Sequence, residues 1–173
     1  MPFFCFENSG AIDRLYSWIT SGGQDLLTCH YADILEGLSP GQLLLDLNGK
    51  AGTGKTPLMT SISTTFRQMA DDAGIADVPF LRAVVSAATA MTFDGYTLHR
   101  LLHIPTPSSN LDTTLSSANL LSLQFTFHGI LYLIIDDSFL LDTLLLFWID
   151  LRCRQIFPLF RDKPFAGVSI VLI

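Results

Sequence analysis

Residues 43–59 read LLLDLNGKAGTGKTPLM, and this stretch decides the fold. The apolar run Leu43-Leu44-Leu45 leads through Asp46, Leu47 and Asn48 into Gly49-Lys50-Ala51-Gly52-Thr53-Gly54-Lys55-Thr56, which fits the phosphate-binding loop G-x-x-x-x-G-K-[ST]. The spacing has a chemical reason. Glycines let the backbone curl so that successive N–H groups point inward at phosphate oxygens. A helix starting near Gly54 turns its positive end toward the same anion. Lys55 is placed to reach the β- and γ-phosphates, and the Thr56 hydroxyl to take one position on Mg²⁺. At ordinary Gly, Lys and Ser/Thr frequencies a chance match in a chain of 173 residues is on the order of one in a hundred.

Outward from the loop, the chain reads as an α/β fold. Gln42–Leu47 is a strand, and the helix after the loop should run to Met69 or Ala70, with Pro57 tolerated in its first turn. Phe80–Val85 is a second apolar strand. Gly95 marks a turn, and Thr97 can cap a short helix through Leu101 or Leu102. Pro105–Ser117 is polar and turn-rich, a surface connection. Leu131–Ile135 is a third strand, apolar along its length as in a parallel sheet covered on both faces. Phe139–Ile156 reads as a helix with Arg152 and Arg154 near its end, where the dipole favours cations. Val168–Ile173 is a fourth strand. Before the loop, Ala11–Ile19 and His30–Leu38 each suit a short helix, making residues 1–40 a helical segment, and His30 reads as structural. The sum is a P-loop fold, a parallel sheet flanked by helices.

Composition narrows the function classes. Of the 173 residues, 49% are apolar and 15% charged, enough for one well-filled core. The longest apolar runs, such as Gly129–Ile135, fall well short of the ~18 residues a membrane span needs. The opening MPFFCFENSG has no basic flank or long apolar stretch, so it does not read as a signal peptide. Such apolarity fits a face covered by a partner or by further chain. Cys5, Cys29 and Cys153 are scattered without metal-ligand spacing, the pattern of reduced thiols in an intracellular protein. A formal net charge of −6 argues against an electrostatic grip on nucleic acid across the whole surface, so any DNA contact is local.

A phosphate loop needs a metal-holding acid at the tip of a neighbouring strand, and Leu131-Tyr132-Leu133-Ile134-Ile135-Asp136-Asp137 supplies one. Asp136 is the candidate Mg²⁺ ligand, directly or through water, and Asp137 the candidate to orient or deprotonate the attacking water. The same pair also suits a capped strand-to-helix turn.

GKAGTGKT, Asp94-Gly95-Tyr96-Thr97-Leu98-His99, LIIDD, Ile149-Asp150-Leu151-Arg152-Cys153-Arg154-Gln155 and Lys163-Pro164-Phe165-Ala166-Gly167 followed by Val168–Ile173 occur in one order. Over about residues 40–173 this set resembles the Pif-type (petite integration frequency) DNA helicases, including the Helitron-encoded ones. Their pattern is A-G-T-G-K-[ST], G-x-T-x-H, D-E, R-x-R-Q, then P-F-G-G before an apolar strand. The resemblance implies an ATP- and Mg²⁺-dependent helicase unwinding DNA 5′-to-3′ in repair, recombination and telomere maintenance, in the nucleus or mitochondrion. It implies that Gly49, Lys50, Ala51, Gly52, Thr53, Gly54, Lys55 and Thr56 bind ATP. Thr56 and Asp136 would hold Mg²⁺, with Lys55 and Asp137 in the catalytic positions. Thr97 and His99 fall where the family contacts single-stranded DNA or couples it to the nucleotide; a capped helix start with a structural histidine is the alternative for His99.

The chain departs from that pattern at four places. The family's Glu is Asp137, its A-P-T-G reads Val84-Val85-Ser86-Ala87, and the Ser two places past its Glu is Phe139. The sequence stops at Ile173, before the family's G-D-x-x-Q-L. Residues 41–173 therefore read as a partial motor lobe whose expected activity is Mg·ATP binding. The adenine-reading glutamine has two candidates, Gln24 and Gln42. The competing readings are a non-catalytic P-loop remnant or protein-interaction module, and a small P-loop kinase, for which no basic lid is visible.

Overall fold

The computed structural model describes residues 4–5, 24–47, 55–90, 96–105 and 113–173. Its strands are β1 (Phe4–Cys5), β2 (Leu44–Asp46), β3 (Phe80–Val84), β4 (Tyr96–Thr97), β5 (Tyr132–Asp136) and β6 (Ser169–Leu172). All pair in parallel, in the order β1-β2-β6-β5-β3-β4. The helices are α1 (Gln24–Leu35), α2 (Lys55–Asp72), α3 (Ala87–Ala90), α4 (Leu98–Leu101), α5 (Ser117–Thr126) and α6 (Thr143–Ile156).

Alternation along the strands sends apolar side chains to both faces. Leu45, Tyr132, Ile134 and Val171 face one layer, where Leu58, Met59, Ile62 and Phe66 of α2 and Leu27 and Tyr31 of α1 cover them. Leu44, Ala83, Leu133, Ile135 and Ile170 face the other, under α4, α5 and α6. The buried positions of α2 recur every three or four residues, which gives that helix one apolar stripe. It closes at Gly74, whose φ of 70° favours a residue without Cβ.

The four expected strands and the helix after the loop are present with ends shifted by at most three residues. Four differences have physical causes. First, Phe4–Cys5 pairs with Leu45–Asp46, so residues 1–40 contribute a strand as well as a helix. Second, the expected His30–Leu38 helix runs over Gln24–Leu35, with Gly37 (φ 80°) just past its end; the Ala11–Ile19 expectation lies outside the described residues. Third, the expected Phe139–Ile156 helix is interrupted. Ser138–Leu140 is a 3-10 turn, Leu141 is extended (φ −72°, ψ 113°), and α6 starts afresh where Asp142 Oδ1 accepts the Leu145 N–H at 2.6 Å. Fourth, α5 was not anticipated; Ser116 caps it by accepting from the Asn119 N–H.

His30 is structural, as its sequence context suggested. Its Nε2 lies 2.7 Å from the Gly41 carbonyl, which only accepts, so Nε2 carries the proton. Nδ1 then accepts from the Tyr132 hydroxyl at 2.6 Å. Burial, with Tyr31 nearby, pushes the Tyr132 phenol up and keeps that donor protonated.

Candidate functional site

The site grows from the C-terminal tips of the parallel strands. β5 is buried along its whole length and apolar until Asp136, which is 4% exposed. The Asp136 Oδ1 accepts the Asp137 N–H at 2.8 Å. Asp137 is left-handed (φ 59°, ψ 39°), a conformation short polar side chains tolerate best after glycine, and it turns the chain out of the strand. Burial pushes the Asp136 carboxyl up and the Asp137 charge pushes the same way. The Asp137 N–H and the cations Lys55 and Arg82 act against both. Lys55 is the first residue of α2, so the loop's ammonium and the β5 carboxylate do lie within electrostatic reach of one another.

The expected acid on a neighbouring strand needs correction. β6 lies between β2 and β5: Leu172 pairs with Asp46 on one side and Ile135 on the other. The two tips stand level but two strand spacings apart, about 10 Å. That gap leaves room for a phosphate chain between the loop and the acid. Gly49 to Gly54 lie outside the described residues, as does the Thr56 side chain.

Among the described residues no three His, Cys, Asp or Glu side chains group to hold a metal. One buried carboxylate at the tip of β5 suits Mg²⁺, which prefers one or two carboxylates together with phosphate oxygens and water.

Further along the same edge, Val84 pairs with both Asp136 and Thr97, so Thr97 stands level with the acid with β3 between them. The Thr97 hydroxyl caps α4, accepting the Arg100 N–H at 3.3 Å. His99 is half-buried on the first turn of that helix. Beside them Tyr96 is 50% exposed, and the Arg100 guanidinium lies 6.0 Å from its ring centroid. The sequence reading passed over this aromatic–cation pair, and also Arg82. The signal for Arg82 was available: it is the lone charge inside the apolar run Phe80–Val84.

The glutamine candidates separate. Gln42 Nε2 donates to the Pro164 and Val168 carbonyls at 2.8 and 2.7 Å, at the end of β2 away from the loop, so it does not read adenine. Gln24 opens α1, and its side chain lies outside the described residues. The Asp150-to-Gln155 motif belongs to the framework. Asp150 takes the Arg154 Nε–H on Oδ2 and the Phe165 N–H on Oδ1, both at 2.6 Å. Arg154 also donates to the Arg161 carbonyl. These bonds tie α6 to the Pro164–Gly167 turn that launches β6.

The sequence model of the PIF1-like helicases matches residues 34–173. The chain belongs to the PIF1-like helicase family. Solved Pif1 structures share its fold. Bacteroides sp Pif1 in complex with ADP-AlF4 aligns at TM-score 0.56 and 24% identity over 86% of this chain and 30% of that one. Bacteroides Pif1 in complex with ADP-AlF3 and ssDNA gives 0.56 and 25% over 84% and 31%, and Candida albicans Pif1 gives 0.57 and 20% over 88% and 31%. The PIF1-like chain thus spans about 30% of the length of these structures. No curated protein matches its sequence. The matched residues include every strand of the PIF1-like sheet except β1.

Proposed function

We propose that this chain is the nucleotide-binding part of an ATP- and Mg²⁺-dependent DNA helicase motor, whose whole protein unwinds DNA 5′-to-3′ in genome maintenance in the nucleus or mitochondrion. The observation that carries the reading is the placement of Lys55, first residue of the loop's helix, and of the buried Asp136 carboxylate, last residue of β5, at the C-terminal edge of one parallel sheet. Lys55 binds the phosphates, with Gly49 to Gly54 as the amide cradle, and Thr56 and Asp136 hold Mg²⁺. Bound Mg²⁺ supplies charge neutralisation at the phosphate oxygens. Asp137 orients the attacking water. It is a methylene shorter than the family's Glu, and a misplacement of ~1 Å can cost on the order of a hundredfold in rate, so slow turnover is expected. Single-stranded DNA lies along Tyr96 to Arg100, where an exposed ring and a guanidinium offer stacking and charge beside Thr97 and His99. Bacteroides Pif1 has been solved with ADP-AlF3 and ssDNA together, which supports a chain that takes both kinds of ligand.

Titration with a fluorescent ATP analogue and Mg²⁺ tests the nucleotide half. Wild type should bind, Lys55→Ala should lose most of the affinity, and Asp136→Asn should lose the Mg²⁺ dependence. Equal binding by wild type and Lys55→Ala would overturn the site. A second reading, a non-catalytic module that docks a protein, is favoured by Phe139 and Phe147, 75% and 52% exposed just past the carboxylates. It requires that nucleotide leave thermal stability unchanged.

A further inference from the structure

Arg152 heads the fully buried side chains by volume among the described residues and lies outside the nucleotide site. Its Nε donates to the Leu102 carbonyl and Nη2 to the His103 carbonyl, both at 3.1 Å. Nη1 reaches the Thr113 carbonyl at 2.8 Å and Gln155 Oε1 at 2.7 Å, and Gln155 Nε2 donates to the same Thr113 carbonyl at 3.0 Å. The guanidinium lies 4.9 Å from the Trp148 ring centroid. One planar fork thus gathers the chain leaving α4 and the chain approaching α5.

Two of the three captured carbonyls, those of Leu102 and His103, belong to a turn that needs support. α4 has four residues, too few to persist alone. It closes through an Ile104 N–H bond to the His99 carbonyl (3.0 Å), with His103 left-handed (φ 48°) where glycine is usual. Leu98, Leu101 and Leu102 share one buried apolar cluster with Trp148, Ile149 and Cys153, which supplies adhesion. Adhesion alone does not call for a buried guanidinium, since an apolar side chain of similar volume would serve at least as well. Bonds aimed at three carbonyls add a fixed orientation of α4 on the sheet edge.

We infer that Arg152 and Gln155 are positioning residues for single-stranded DNA, a clamp that fixes the Tyr96–Arg100 segment level with the nucleotide carboxylates while touching neither nucleotide nor DNA. The inference rests on the DNA half of the proposed function. α6 carries the clamp in its last turns and begins just past Asp136-Asp137, so a single helix joins the two ends of the site.

The full chain is tested with a fluorescein-labelled deoxythymidine oligomer at low salt, a fluorescent ATP analogue, and amide hydrogen exchange over residues 96–105. In Gln155→Leu, oligomer affinity should fall about tenfold with nucleotide affinity held within about twofold, and exchange at 98–104 should quicken. Arg152→Lys should behave likewise, because an ammonium keeps the charge but cannot span the three carbonyls. Should the Arg152 variant fail to fold, the half-buried Gln155 variant carries the test. Faster exchange with unchanged oligomer affinity would reduce the clamp to scaffolding and overturn the inference. So would equal losses of oligomer and nucleotide affinity. A wild type that binds nucleotide but no oligomer would overturn the DNA reading itself and the inference with it, a result told apart by appearing before any substitution is made.

Discussion

Ala166 holds φ 49° and ψ 33° in the turn before β6, a left-handed conformation that costs an L-residue about 1–2 kcal/mol. The family pattern has glycine there, and Ala166→Gly should raise stability by about 1 kcal/mol, read from the urea midpoint. Asp137 shares the left-handed conformation for a different reason, since it must leave the strand while lending its N–H to Asp136. Asp137→Glu should quicken phosphate release by lengthening the reach to water. It should also lower stability by up to about 1 kcal/mol, because a longer side chain tolerates that backbone less well. Cys29 and Cys153 divide by burial. Cys153 is enclosed by the core and burial pushes its thiol up to about 12, whereas Cys29 is exposed. Iodoacetamide at pH 8 should therefore label Cys29 in the folded chain and reach Cys153 only after denaturant is added.

At the scale of elements, the break before α6 is a capped start, and Asp142→Ala should cost about 1 kcal/mol by thermal or urea unfolding. That break also shows where sequence reading stopped. Phe139 to Ile156 is apolar enough to suggest one helix, and the interruption depends on the Asp142 side chain bonding to Leu145 N–H, which periodicity does not register. The strands were legible because β5 is an apolar run ended by an acid and β6 an apolar run preceded by a turn, as a sheet buried on both faces demands. The loop and Asp136 were legible because their chemistry fixes residue type at each place. α5 was not, since Leu120, Leu121 and Leu123 on a Ser- and Asn-rich stretch give no clean apolar stripe. Gln42 misled because its distance from the loop in sequence says nothing about which end of β2 it occupies; its amide is spent on Pro164 and Val168. Arg152 read as a cation suited to a helix end and Gln155 as part of the R-x-R-Q resemblance, and only the fold reveals the carbonyls they gather.

For the whole molecule, ligand binding should be visible as stability. Mg·ATP analogue at ~100 times its Kd should add about 2.7 kcal/mol, read as a rise in Tm that Lys55→Ala abolishes. Among the described residues no helix is long and apolar enough to cross a membrane. The exposed apolar side chains instead cluster on α5, α6 and the turns beside them, as with Phe125, Phe139 and Leu144. The sheet order carries a last consequence. β6 sits in the middle of the sheet between β2 and β5, yet the ribosome makes it after the other five strands. Until residues 169–172 clear the exit tunnel, the edges of β2 and β5 that face each other across the place of β6 wait unpaired. Nascent chains of this protein should therefore lean on holdase chaperones until the central strand slots in, and only then acquire protease resistance in a single step.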